Sequence, residues 1–268
     1  MLFVIDVGNT NTVMGIFDNK AQIQEWRIRT VKDGTEDEFH VLLSALFREA
    51  NLRFDQIDKT IVASVVPPMV TILDAFCVKY LKQTALFIDA ETVSSIMPVR
   101  YNNPLEVGAD RIVNAIAAYE KYKCPLIVVD FGTATTFDVV TEKGEYLGGA
   151  ITPGIGISAE ALFQRTSKLP RVELLSPPKT AIGLDTASSM KSGIIFGYAG
   201  LVDGMVQRIR KEMTGDPPKV IATGGLAPLM RNVSNAIEAI EPSLTLDGLR
   251  IISERLAASP LKKARRHV

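Results

Sequence analysis

The sequence predicts an α/β protein of two similar domains, residues 1–115 and 116–268, and three observations predict it. Short apolar runs alternate with segments of helical period along the chain. Two of these runs end alike. Ile5-Asp6-Val7-Gly8-Asn9-Thr10-Asn11-Thr12 and Val129-Asp130-Phe131-Gly132-Thr133-Ala134-Thr135-Thr136 each give an apolar strand, an Asp, a Gly two residues on, then small polar residues. Each copy continues into a second strand, a polar turn and a third strand. One β-β-β-helix unit therefore occurs twice, about 125 residues apart.

Taken in order, Leu2–Ile5 is an apolar run that stops at Asp6 and reads as a buried strand. A turn over residues 7–10 leads to a strand at Thr12–Phe17, and Asp18-Asn19 turns into a third strand at Ile23–Ile28. Thr35 with Glu38 three residues later is a capping box, and Phe39, Leu42, Leu43 and Leu46 follow at helical spacing. A strand at Thr60–Val66 is stopped by Pro67-Pro68, with a helix from about Met69 to Tyr80 and a strand at Ala85–Ile88 beyond. Ala109–Lys121 is helical, with small residues suited to close packing. Leu126–Val129 is a strand ending at Asp130, and Phe137–Val140 and Glu145–Ile151 are the next two. Helices are expected at Ser158–Gln164 and Ala187–Met213. Lys219–Thr223 is a strand running into Gly224-Gly225, and a helix at Thr245–Ala257 closes the chain.

Of the 268 residues 47% are hydrophobic and 22% charged, enough apolar material for a real core. The 30 Lys+Arg balance the 30 Asp+Glu, so no global field favours nucleic acid or an anionic membrane. The basic tail Lys262–Arg266 is expected to be solvated rather than a binding arm. Cys77 and Cys124 are isolated and form no metal spacing, which suits a reducing compartment. The N-terminus lacks the basic region and apolar core of a signal peptide, and no apolar run approaches ~20 residues. A cytoplasmic location with no membrane partner is expected. Two histidines, His40 and His267, leave little material for imidazole or zinc chemistry.

The two turns carry the chemistry. Gly8 lets the backbone approach a ligand closely, and Asn9, Thr10, Asn11 and Thr12 surround it with donors suited to phosphate oxygens. A carboxylate at the end of a buried strand is costly unless paired or bound to a cation, so Asp6 is a candidate for Mg2+. An ordinary polar hairpin explains one such turn; the repetition of Asp at the same place favours function. Two equivalent turns facing each other across a cleft would grip one nucleotide from both sides. That is the arrangement of the superfamily of sugar kinases, heat-shock ATPases and actin, a duplicated ribonuclease H-like (actin-like ATPase) fold around a nucleotide cleft. Neither turn fits GxxxxGK[ST] or GxGxxG.

Further motifs narrow the reading: DVGNTNT at Asp6–Thr12, GADR at Gly108–Arg111, DFGTATT at Asp130–Thr136, GGAITPGI at Gly148–Ile155 and ALFQRTSKLP at Ala161–Pro170. TASSMKSG at Thr186–Gly193, ATGG at Ala222–Gly225 and LTLDGL at Leu244–Leu249 complete the series. Together, in this order, they resemble the signature of type III pantothenate kinases. The resemblance implies phosphorylation of pantothenate by ATP, the first step of coenzyme A biosynthesis. It implies that Asp6, Val7, Gly8, Asn9, Thr10, Asn11, Thr12 and Val13 form an ATP-phosphate site. Thr133 would contact ATP from the second hairpin, and Gly224-Gly225 would lie near the adenosine. Asp130 would bind a monovalent cation, K+ or NH4+. Tyr101, Gly108, Ala109, Asp110, Arg111 and Thr186 would bind pantothenate, with Asp110 as the general base, and the protein would be a homodimer.

Physical chemistry is compatible with these roles. The proton of the attacking alcohol must leave as the phosphoryl group arrives, and a positioned Asp can accept it. Arg111 can hold a carboxylate with its planar fork, or pair with an acidic group of the protein. Two other readings remain open on the residues alone. One is a different small-molecule kinase of the same superfamily; the other is an accessory or regulatory ATP-binding protein. The balanced charge and the absence of a DNA-binding motif argue against direct contact with nucleic acid.

Overall fold

The computed structural model describes residues 1–258, which fall into two units. The first holds 1–98, 102–117 and the chain from Thr245 onward; the second holds Val99–Tyr101 and Ala118–Leu244. The basic tail considered above lies outside the described residues.

The first unit contains β1 (Leu2–Val7), β2 (Asn11–Asp18), β3 (Ala21–Arg29), α1 (Glu36–Glu49), β4 (Lys59–Ser64), α2 (Pro67–Phe76) and β5 (Leu86–Phe87). Its sheet has the order β3-β2-β1-β4-β5. The first three strands are antiparallel, and β4 and β5 add parallel to β1. Central β1 is apolar almost throughout because both its faces are covered, whereas edge strand β3 alternates, with Gln24, Trp26 and Ile28 turned inward. One face buries Phe3, Ile5, Val7, Met14 and Ile16 against Phe39, Leu43 and Phe47 of α1 and Met69, Leu73 and Phe76 of α2. Trp26 stacks on Phe47 with centroids 5.3 Å apart and belongs to this core.

Local signals acted as expected at α1. The Thr35 backbone N–H donates to Glu38 Oε2 at 2.8 Å, and the Glu38 N–H donates to Thr35 Oγ1 at 3.2 Å. Pro67 and Pro68 do not merely stop a strand. They are the first residues of α2, where the missing N–H costs nothing. That helix runs on into a π turn at Cys77–Leu81, which ends at Lys82 in the left-handed conformation. Burial pushes the Cys77 thiol up to about 12, so it is inert.

α3 (Ala109–Tyr122) carries the division between the units, at Ala117/Ala118. The second unit then repeats the first: β6 (Leu126–Phe131), β7 (Ala134–Val140), β8 (Tyr146–Pro153), α4 (Ile155–Gln164), α5 (Thr186–Glu212), β9 (Lys219–Thr223), α6 (Ala227–Arg231) and β10 (Ala239–Ile240). Its sheet order, β10-β9-β6-β7-β8, has the same sequence of parallel and antiparallel neighbours. Ile127, Val129 and Phe131 pack with Ile194, Tyr198, Val202 and Val206 of α5.

The division lies close to the expected boundary at 115/116, but the C-terminus departs from the expected partition. α7 (Leu244–Ala258) belongs to the first unit, not the second. Gly248 makes this possible. A Cβ there would stand 2.6 Å from the Val113 carbonyl oxygen of α3, so only a glycine lets the helices approach. The Thr245 hydroxyl donates to Asn114 Oδ1 at 2.8 Å across the same contact. The apolar stripe of α7 shows that it packs, but not against which domain.

Candidate active site

The first Asp-x-Gly turn is a closed device. The Gly8 N–H donates to the Asn11 carbonyl at 3.0 Å, with Val7 paired to Thr12 below it. Asn9 and Thr10 are exposed at the tip, and Asp6 is half-buried on β1 beneath it. Thr12 is fully buried, and its hydroxyl lies 3.0 Å from Thr30 Oγ1. Lys32 Nζ donates to Asn9 Oδ1 at 2.9 Å, leaving the Asn9 amide NH2 as the donor that side chain can offer elsewhere.

The GADR segment meets the same end of the first sheet. The Val65 N–H donates to the Val7 carbonyl at 3.1 Å, and a Cβ on Gly108 would lie 3.3 Å from Val65 Cγ1. The start of α3 is thus brought to the carboxyl ends of β1 and β4, where open α/β sheets bind ligands. Asp110 is in the first turn of α3, and its Oδ1 accepts the Arg111 backbone N–H at 2.8 Å. A Cβ at Gly108 would come within 2.6 Å of that oxygen, so the glycine makes room for the carboxylate. Arg111 itself is buried, 7% exposed.

The second turn uses Gly132, whose N–H donates to the Ala134 carbonyl at 3.1 Å. It is one residue tighter than the first: Phe131 pairs with Thr135, whereas Val7 pairs with Thr12. The structural equivalent of Thr12 is therefore Thr135, also fully buried, and not Thr136 as the aligned motifs suggest. Gly154 donates to the Thr133 carbonyl at 3.1 Å, and any Cβ there would collide with that oxygen. Gly224 has φ +88, and a Cβ on it would meet Asp130 Oδ1 at 2.5 Å and the Phe131 carbonyl at 2.7 Å. Asp130, Phe131 and Gly224 are thereby gathered in one place, with Thr133 two residues along the turn against Gly154.

Similarity to known proteins gives this arrangement its chemistry. A profile of type III pantothenate kinases matches residues 2–208. The chain is 62% identical to the type III pantothenate kinase of Desulfatibacillum aliphaticivorans over 97% of its own length and 100% of that protein. The chain belongs to the type III pantothenate kinase family. Membership makes it an ATP-dependent pantothenate kinase, an enzyme of coenzyme A biosynthesis. The enzyme of that name from Desulforapulum autotrophicum is 59% identical over 95% of this chain and 97% of its own. Among solved structures, the activator of 2-hydroxyisocaproyl-CoA dehydratase from Clostridium difficile, solved with bound ADPNP, superposes with a TM-score of 0.57. It is 14% identical and matches 98% of this chain and 99% of its own. The fold is thus the duplicated actin-like ATPase fold.

The remaining expected site residues of this kinase lie in the second unit. Tyr101 is partly exposed beside β8, where a Cβ on Gly148 would stand 3.6 Å from its ring. Thr186 is the exposed first residue of α5, just after the capping Asp185. The Ser188 backbone N–H holds that Asp185 carboxyl below its usual range. Gly225 follows Gly224 in the turn between β9 and α6.

Among the described residues no three His, Cys, Asp or Glu gather as a metal centre. Mg2+ that arrives with nucleotide, keeps its waters and uses one carboxylate suits Asp6. The paired oxygens of Asp130 and Phe131, converging beside Gly224, are hard donors of the kind K+ or NH4+ uses. Among the described residues no helix is long and apolar enough to cross a membrane.

Sequence reasoning missed two groups of supporting residues. Thr30 and Lys32 lie beyond β3, too far along the chain for a local motif to include them. Asp138 is fully buried, accepting from Tyr146 Oη at 2.7 Å and Thr136 Oγ1 at 2.9 Å. Its signal was Thr136-x-Asp138 on one face of a strand, since a buried carboxylate requires donors.

Proposed function

We propose that this kinase moves the γ-phosphoryl group of ATP to the primary alcohol of pantothenate with Asp110 as general base. Asp6 through Val13, Thr133 and Gly224-Gly225 bind the nucleotide; Tyr101, Gly108 through Arg111 and Thr186 bind pantothenate. The observation that carries this reading is the Asp110 carboxylate, anchored by the Arg111 N–H at 2.8 Å in space kept clear by Gly108. An anchored carboxylate needs no reorganisation when the hydroxyl arrives. The alcohol proton passes to Asp110, a new O–P bond forms, and the bond from γ-phosphorus to the bridging oxygen breaks to release ADP. The transition state is loose, so aim and charge neutralisation contribute more than base strength.

Mg2+ held with help from Asp6, and K+ or NH4+ held with help from Asp130, would neutralise phosphate charge. The protein acts as a cytoplasmic homodimer. In support, an apolar groove of about 630 Å³ runs between α4 and α5, lined by Leu162, Met190, Ile194, Tyr198 and Leu201, and suits a second copy.

The test is ADP release from ATP with pantothenate, with a hexose and with a small hydroxy acid as alternative acceptors. Release only with pantothenate, together with formation of 4'-phosphopantothenate, supports the reading. Equal release with another acceptor assigns a different substrate to the same fold.

A further inference from the structure

Thr30 stands behind the first turn and holds it at three points. Its hydroxyl donates to the Gly8 carbonyl at 2.7 Å, and its oxygen lies 3.0 Å from Thr12 Oγ1. Its backbone N–H donates to the Thr10 carbonyl at 3.0 Å. A hydroxyl has one proton. Because that of Thr30 goes to Gly8, the proton between the two threonines comes from Thr12. The hydrogen bonds therefore run in one direction, Thr12 to Thr30 to Gly8, and fix both legs of the turn to the end of β3. The chain separation is 18 residues for one contact and 22 for the other, so no local preference of the turn supplies them.

A turn that surrounds phosphate oxygens works only if its N–H groups are aimed before the ligand arrives, because ordering it on binding would subtract from affinity. Residues 8–11 include a glycine, and three of the four carry small polar side chains. Such a segment has many conformations unless it is held from behind. We infer that Thr30 is a positioning residue for ATP: it touches no substrate, and its hydroxyl fixes the conformation in which the Gly8–Asn11 turn receives phosphate. This rests on the assignment of that turn to ATP made above.

Thr30→Val keeps the shape and β-branching of the side chain while removing the hydroxyl. It leaves the Gly8 carbonyl and the Thr12 hydroxyl without that partner. The expected result is a KM for ATP raised about tenfold, with the KM for pantothenate within about twofold of wild type. Thr30→Ser restores the hydroxyl and should recover most of the ATP affinity. Direct titration of MgATP by calorimetry should show the same order in Kd, independent of turnover. Asn9→Ala, which alters the exposed tip of the turn, serves as the control. If Asn9→Ala weakens ATP and Thr30→Val does not, Thr30 has no positioning role. If neither weakens ATP, the turn is not the phosphate site, and both readings fall. Equal losses for ATP and pantothenate, with a lowered Tm, would make Thr30 a general stabiliser and also overturn the inference. Should Thr30→Val not fold, Thr30→Ala and Thr30→Ser supply the same comparison.

Discussion

Gly224 and Asp130 lie so close that one added carbon on the glycine would stand 2.5 Å from the carboxylate oxygen. The contact joins the turn after β9 to the end of β6, and Asp130 pairs with Thr223 in the parallel ladder beside it. Gly224 also has φ +88, where an L side chain is strained. Gly224→Ala should therefore act twice: it costs about 1 kcal/mol or more of stability through the backbone, and it displaces the Asp130 carboxylate. The expected outcome is a lower Tm together with a loss of ATP affinity and of monovalent-cation response. A variant that lost stability alone would separate Gly224 from the site.

Asp110→Asn should keep the fold, because an amide oxygen can still accept the Arg111 N–H. It cannot take up a proton. The expected kcat is lower by ~10²–10⁴, with the KM for pantothenate changed little. Single-turnover measurement of phosphopantothenate formation checks this without interference from product release. A kcat near wild type would remove Asp110 from proton transfer.

Most of this architecture was legible because the duplication repeats its chemistry as well as its pattern. Asp6 and Asp130 marked equivalent strand ends, and the strands on either side followed at corresponding distances. Register was less legible. The motifs align Thr12 with Thr136, yet the second turn is one residue tighter and Thr135 takes that place. A one-residue change in a turn leaves no mark in composition, because both versions contain Gly and Thr. The position of α7 was hidden for another reason. Its partner is α3, met through Gly248, and chain order gives no hint that the last helix returns to the first unit. At the candidate site, contiguous motifs supplied the expected residues, whereas Thr30, 22 residues from the Gly8 it holds, carries no local signal.

The buried carboxylate of Asp138 gives a test of stability apart from catalysis. Tyr146 Oη donates to it at 2.7 Å in a place with no solvent exposure. Tyr146→Phe removes that donor and leaves the rest of the ring in place. The expected loss is about 1–2 kcal/mol, the order found when a buried acceptor loses its donor. Urea unfolding should show it as a lower midpoint with an unchanged m value. A midpoint equal to wild type would show that Asp138 is satisfied without the phenol.

The proposed dependence on a monovalent cation makes the sharpest demand on Asp130. A carboxylate near a triphosphate adds negative charge to negative charge, and at short range this repulsion is severe unless a cation lies between. Mg2+ neutralises only part of the phosphate charge. The convergence of Asp130 Oδ1 and the Phe131 carbonyl beside Gly224 supplies two hard oxygen donors. A large, weakly hydrated ion such as K+ suits carbonyl and carboxylate oxygens, and the smaller Na+ gives up its water less readily. Activity at saturating Mg2+ should therefore fall at least tenfold, on the order of 1.4 kcal/mol, when K+ is replaced by Na+ at constant ionic strength. NH4+, close to K+ in size, should restore it. Constant ionic strength matters because screening treats the two salts alike. Asp130→Asn should flatten the K+ response rather than only lower the rate, since it removes the charge that selects a cation while keeping an oxygen in place. Equal rates in K+ and Na+ with the wild-type enzyme would return Asp130 to a structural role at the end of β6, and the two-oxygen arrangement beside Gly224 would then be packing alone.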